Sequence, residues 1–187
     1  MPYSQHAVAT YYVVAPCEAS SNLSRYDGVR NTARESADDL EAMYSKTRKA
    51  NFGEEVTRRI LLGTYSLSSG YDHELYKKAS QVRRLIKQDY DQAFSDVDLI
   101  AGPTVPTPAF KIGQHAQDPL AMYLADIYTA SANLAGIPAI SLPCGFSNGG
   151  LPIGLQLQGN MFGEAKLLQT AHQYQLQTDW HTRRPQA

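Results

Sequence analysis

Apolar positions recur along this chain with two distinct periods. Near the C-terminal end Ile153, Leu155 and Leu157 alternate with Gly154, Gln156 and Gln158, the pattern of a strand with one packed face. Ala139 to Leu142 shows no alternation and reads as a strand buried on both faces. Asn148-Gly149-Gly150 between them predicts a hairpin, or a pair separated by one turn. Two further strands are expected: Thr10 to Ala15 (TYYVVA), β-branched and aromatic and ended by Pro16, and Val97 to Ala101 (VDLIA), ended by Gly102-Pro103-Thr104. Proline spacing keeps Pro103 to Pro108 extended.

The 3.6-residue period takes over elsewhere. Ser36, with Asp39 three residues on, predicts a capped helix to Ala50 with Leu40, Met43 and Tyr44 on one face. A second helix, Glu54 to Ser68, carries Glu54/Arg58 and Glu55/Arg59 in the favourable acid-before-base order. Asp72 is the expected cap of a third, with Leu75, Tyr76, Ala79, Val82, Ile86 and Ala93 inward. A fourth is expected from Asp118 to Leu134, opened by Pro119. Its apolar stripe is Leu120, Tyr123, Leu124, Ile127 and Tyr128, and a second face holds Met122, Asp126, Thr129 and Asn133. A last helix spans Gly163 to Leu176 through Leu167, Leu168, Ala171 and Tyr174, and the tail from Gln177 is expected to fray. Strands separated by helices imply an α/β fold: a mixed, partly parallel sheet of about four strands flanked by about five helices.

Composition adds mainly exclusions. A chain of 187 residues, 43% hydrophobic and 19% charged, suits a single domain over residues 1–187. Lys plus Arg (17) nearly balances Asp plus Glu (18), so no basic excess offers itself to a phosphate backbone. Cys17 and Cys144 are far apart, as in a reduced protein of the cytoplasm, and Cys144 reads as a small apolar filler rather than a thiol nucleophile. His6, His73, His115, His172 and His181 lack metal-ligand spacing, and no glycine-rich phosphate loop is present, so no cofactor is assigned to this chain. No apolar run reaches the ~20 residues of a membrane span. Arg25, Asp27 and Arg30 read as an ion-pair set shaping a loop.

The stretch Asn133 to Gly159, NLAGIPAISLPCGFSNGGLPIGLQLQG, resembles the C-terminal signature of the amidase-signature family of Ser-Ser-Lys amide hydrolases. PCEASSNLSRYDGVR (Pro16 to Arg30) and FGEEVTRRILLGTYSLSSGY (Phe52 to Tyr71) narrow the likeness to the branch of glutamyl-tRNA(Gln) amidotransferase A subunits, which release ammonia from glutamine for a partner subunit. The likeness runs from Tyr3 to Tyr174 and implies the C-terminal part of the amidase-signature fold. One departure is Asn31-Thr32-Ala33, where that branch continues with Tyr-Gly and a basic or aromatic residue.

The resemblance implies a serine nucleophile, a second serine and a lysine base, the two serines set in a Gly-Gly-Ser-Ser-Gly-Gly-Ser type loop that this sequence does not contain. Ser68-Ser69-Gly70 lacks the flanking glycines that would converge backbone amides on an oxyanion, and Lys77 and Lys78 fall on a charged helix face. No catalytic residue is therefore assigned, and the chain is expected to be inactive without the N-terminal catalytic part of the domain. The resemblance implies a glutamine site of a tyrosine, an arginine and an aspartate, falling on Tyr11, Arg59 and Asp126, with Tyr12 and Arg58 as the adjacent alternatives. A free amino acid presents a carboxylate and an ammonium close together, which an arginine fork and an aspartate complement. Structural readings stand beside these: Arg59 as the solvated partner of Glu55, Asp126 on an exposed helix face, Tyr11 as a packed aromatic. The implied partners are the B and C subunits and the missing N-terminal part of the A subunit. ATP and Mg belong to the partner subunit, tRNA is met only indirectly, and no membrane is involved. The alternatives are a non-catalytic docking module and a fragment of a broader-specificity amidase.

Overall fold

The computed structural model describes residues 1–68, 73–114 and 118–184, so the expected cap at Asp72, together with Ser69, Gly70 and His115, lies outside the described residues. Seven α-helices and three strands are present among them: α1 (Ala7–Leu23), α2 (Leu40–Asn51), α3 (Glu54–Leu67), α4 (His73–Asp96), β1 (Leu99–Pro103), α5 (Pro119–Leu124), α6 (Thr129–Ala135), β2 (Ala139–Phe146), β3 (Pro152–Gly159) and α7 (Glu164–Gln177). The chain divides into two compact units, one of Met1–Val8 with Val82–Ala187 and one of Ala9–Gln81.

The sheet belongs to the first unit. Its order is β1-β3-β2, with both pairings antiparallel, so the partly parallel sheet expected from strand and helix alternation is not formed among the described residues. The mixed α/β class holds, with three strands among the described residues where about four were expected. The hairpin forms where predicted: Gly150 donates to the Ser147 carbonyl (2.9 Å), Ser147 to that of Leu151 (2.8 Å), and Gly150 takes φ +77°, which glycine adopts without strain. Leu142 and Leu157 pack with Leu167 and Ala171 of α7, joined by Leu99, Ile140, Leu155 and Tyr174. The i, i+4 pair Leu167 and Ala171 is thus the inner stripe of α7, while Leu168 stays exposed.

The other set of β3 side chains is polar and buried. Gln156 and Gln158 are 5% and 6% exposed, and the Gln158 Nε2 donates to Gln156 Oε1 at 2.6 Å. Tyr90 of α4, 1% exposed, shares a 2.8 Å hydrogen bond with Ser131 of α6 and a further one with Gln158. Burial pushes the Tyr90 hydroxyl above the usual tyrosine range, opposed by its bonds to Ser131 and Gln158. The unfolded chain therefore loses this proton first. The stabilisation is complete below the ordinary tyrosine value and drains away as pH rises past it. Tyr90→Phe is expected to cost about 1–3 kcal/mol by stranding buried partners and to flatten the alkaline arm of the stability profile. Denaturant midpoints measured from pH 8 to 11 on both proteins check this.

The single helix expected over Asp118 to Leu134 is two. Asp118 caps α5 by accepting the Ala121 N–H (3.1 Å), with Pro119 in the first turn as predicted. The chain then breaks at Ala125–Tyr128, and α6 restarts with the N–H groups of Thr129 and Ala130 on the Asp126 carbonyl (3.1 and 2.8 Å). Gly136, at φ +68°, closes α6 with its N–H on the Ala132 and Asn133 carbonyls.

In the second unit the expected strand Thr10 to Ala15 is part of helix α1. Ala7, Thr10, Val14 and Cys17 are all buried at spacings of three, four and three, a helical stripe that packing enforces over local β preference. The cap of α2 is Asp39, not Ser36: its carboxylate accepts the Ala42 N–H at 2.8 Å. Fully buried Thr47 accepts the Glu35 N–H (3.0 Å). The loop before α2 is shaped differently from the expected ion-pair set. Asp27 accepts the Val29 N–H (2.8 Å), while Arg34 binds the Gly28 carbonyl and Arg48 that of Leu23 (2.5 and 3.1 Å). Helices α1 and α3 touch backbone to backbone, since a Cβ on Gly63 would stand 2.0 Å from the Pro16 carbonyl oxygen.

Candidate functional site

Two of the three residues implied for the glutamine site meet in the second unit. The Arg59 Nη1 donates to the Tyr11 hydroxyl at 3.3 Å, and its guanidinium lies 5.8 Å from the centre of the Tyr12 ring. The helical form of α1 makes this possible, because it presents Tyr11 and Tyr12, edge-to-face at 5.1 Å, one turn before the Pro16 contact with α3. Arg59 and Gly63 stand four residues apart on α3, so the close approach at Gly63 carries the arginine to the tyrosines.

Glu55 holds the arginine from its own helix, accepting from Arg59 Nε at 2.9 Å and from Arg58. Its carboxylate raises the Arg59 pKa above the ordinary arginine value, desolvation opposes, and Tyr11 adds to the rise. The guanidinium is thus a permanent cation whose Nε edge is committed to Glu55. On the Nη edge, Nη1 is engaged by the Tyr11 hydroxyl. Arg59 is the i, i+4 partner of Glu55, as its structural reading has it, and it also meets Tyr11.

Asp126 belongs to the first unit, in the break between α5 and α6, not on a continuous helix face. Its carbonyl starts α6 and accepts from the Thr129 hydroxyl (3.3 Å), and its side chain is half-buried. Thr129 and Asn133, predicted to share its polar face, line a cavity of about 300 Å³ with Thr104, Ser141 and Gln156. The hydroxyls of Thr104 and Ser141 are 2.8 Å apart. Gly154 leaves room for them, because a Cβ there would stand 2.8 Å from Thr104 Oγ1 and 2.9 Å from Ser141 Oγ. Residues 104, 141 and 156 escaped the sequence reading, since a threonine, a serine and a glutamine in three separate strands or strand ends carry no shared spacing.

Among the described residues no three of His, Cys, Asp and Glu stand close enough to hold a metal ion. Nor is any helix of theirs long and apolar enough to cross a membrane. Cys17 is buried, which raises its pKa and disfavours a reactive thiolate. Cys144 is half-buried and lies 3.5 Å from the Ile153 carbonyl. In the second unit an apolar groove of about 800 Å³ lies between α2 and α3, lined by Phe52, Ile60, Leu61, Leu62 and Tyr65.

The Amidase family profile matches residues 1–168, and the chain belongs to that family. Within it, the A subunit of glutamyl-tRNA(Gln) amidotransferase from Thermodesulfovibrio yellowstonii is 60% identical over 185 residues, 99% of this chain and 38% of the relative. That of Desulfatibacillum aliphaticivorans is 58% identical with the same coverage. The chain thus spans little more than a third of these relatives. Among solved structures, the corresponding A subunit from Thermotoga maritima superposes with a TM-score of 0.62 at 45% identity, over 89% of this chain and 31% of that one. A 6-aminohexanoate cyclic dimer hydrolase shares the fold at 20% identity, with a TM-score of 0.63 over 96% of this chain and 36% of the other.

Proposed function

We propose that this chain is the C-terminal part of the glutaminase subunit of a glutamyl-tRNA(Gln) amidotransferase and supplies its glutamine-gripping side chains. The observation that carries the reading is the 3.3 Å contact between Tyr11 and Arg59, two residues chosen from the family resemblance and brought together by separate helices. The identity with the amidotransferase relatives supports it across nearly the whole chain. Arg59 takes the α-carboxylate, Tyr11 orients the arginine, and Asp126 takes the ammonium. Ammonia so released serves the conversion of Glu-tRNA(Gln) to Gln-tRNA(Gln), with ATP and Mg used by the partner subunit. The B and C subunits and the N-terminal part of the A subunit complete the assembly, in the cytoplasm.

The nucleophile, second serine and lysine come from that N-terminal part, because no glycine-flanked Ser-Ser loop occurs in this sequence. The exposed apolar side chains of α3, with Leu61 65% and Tyr65 59% accessible, support a chain completed by further protein. Calorimetry with L-glutamine tests the reading: binding is expected, and Asp126→Ala should weaken it about tenfold. Ammonia release by the chain alone should stay at the uncatalysed rate. Wild-type chain that takes up no glutamine would overturn the half-site, and turnover abolished by Ser69→Ala would overturn the assignment of the nucleophile.

A further inference from the structure

The side chain that most restricts Arg59 is Glu55, one turn earlier on α3. Its Oε1 accepts from Arg59 Nε at 2.9 Å while its Oε2 accepts from Arg58, so the two arginines do not contest one oxygen. Two contacts from α1 complete the hold. The Tyr11 hydroxyl accepts from Nη1 at 3.3 Å, and the face of the Tyr12 ring has its centre 5.8 Å from the guanidinium carbon. Bonds at two different nitrogens fix where the guanidinium sits and how it is turned in its plane, and the ring limits its tilt. Among the described residues these bonds engage two of its N–H groups, fewer than the guanidinium carries.

The Glu55 and Arg59 side chains are 43% and 32% exposed, so as an ion pair they add little to the stability of the fold. What the pair supplies is order. A loose arginine side chain is rich in rotamers, and a ligand that engages it must first still it, whereas an arginine already held meets a carboxylate without that penalty. Glu55 also carries a charge of the same sign as a ligand carboxylate, which opposes binding. The two effects separate chemically, because a glutamine side chain at position 55 keeps an acceptor oxygen at the same reach and loses the charge. We infer that Glu55 is a positioning residue for the Arg59 grip: it touches no ligand atom and acts by fixing the guanidinium before a ligand carboxylate arrives. Resting on the proposed glutamine reading for its ligand, this role otherwise needs only the contacts of Arg59 with α3 and α1.

Two measurements on the wild-type chain, Glu55→Ala and Glu55→Gln test it: calorimetry with L-glutamine, and nitrogen-15 NMR of the Arg59 Nε–H without ligand. Glu55→Ala is expected to weaken glutamine about tenfold, the upper end for one side chain left to be immobilised, at a nearly unchanged melting temperature. Glu55→Gln should stay within about threefold of wild type, since the hydrogen bond from Nε is kept. The Nε–H signal should be protected from exchange in the wild type and in Glu55→Gln, and lost in Glu55→Ala. Affinity unchanged or raised in Glu55→Ala, or equally poor in both variants, would overturn the positioning role while wild-type binding kept the glutamine reading intact. A wild-type chain that takes up no glutamine would remove that reading instead, and the Nε–H signal then decides alone. Unmoved in Glu55→Ala, it overturns the hold on Arg59 as well; lost there and kept in Glu55→Gln, it leaves the hold standing.

Discussion

Gly63→Ala is expected to destabilise the protein by about 1–3 kcal/mol, although alanine is the better helix former by roughly 1 kcal/mol. The two effects have opposite signs, so the experiment decides between local propensity and packing. The added methyl would stand 2.0 Å from the Pro16 carbonyl oxygen, 2.5 Å from its carbon and 2.8 Å from the Ser20 Cβ. Two of these three atoms are backbone, so no side chain can turn away and the helices themselves must separate. That separation would also stretch the hydroxyl pair of Ser20 and Thr64 at 2.8 Å. Thermal melts should show a drop of about 2–4 °C for each kcal/mol lost. A rise in the midpoint would mean that α1 and α3 are not pressed together at this glycine.

The same contact shows where sequence reading succeeded and where it could not. The Asn148-Gly149-Gly150 turn and the Pro119 opening of α5 rest on local rules, and both are present, while the predicted α7 stripe holds at Leu167 and Ala171 but not at exposed Leu168. TYYVVA failed because burial of one helix face outweighs the β preference of its branched and aromatic residues. The deciding signal was the spacing of Thr10, Val14 and Cys17, in which a threonine and a cysteine stand in for hydrophobes. Antiparallel order could not be deduced either. Strand β3 lies between β1 and β2 although β1 ends at Pro103 and β3 begins only at Pro152, and nothing in β1 announces its partner. The break at Ala125–Tyr128 is similarly silent, since ADIY continues the apolar stripe without a glycine or proline.

The site was legible to a different extent. Tyr11 and Arg59 came from family resemblance, while charge pairing alone would have stopped at Glu55 and Arg59. The neutral cavity was illegible for a physical reason: its hydrogen-bonding side chains come from segments far apart in sequence. Only the register of β2 against β3, which sets Ser141 opposite Gln156, brings two of them to one place.

Arg59→Ala should reduce glutamine affinity by one to two orders of magnitude, the worth of a charge-assisted contact. Arg59→Lys should recover only a small part of it. A guanidinium can hold Glu55 through Nε and Tyr11 through Nη1 while its remaining N–H groups face a carboxylate, whereas an ammonium is a single point that must choose. Tyr11→Phe removes the contact that steers Nη1 but leaves the cation, so its effect should be near fivefold. Arg58→Ala is the discriminating companion. It shares Glu55 with Arg59 and pairs with Glu54 at 3.4 Å, so loss of a merely structural charge cluster would lower affinity in both variants alike. Titration calorimetry with L-glutamine, alongside melting temperatures, separates the outcomes. A strong loss in Arg59→Ala at unchanged stability, with Arg58→Ala close to wild type, is what a carboxylate grip requires. Equal losses would reduce Arg59 to one member of a helix-surface ion pair.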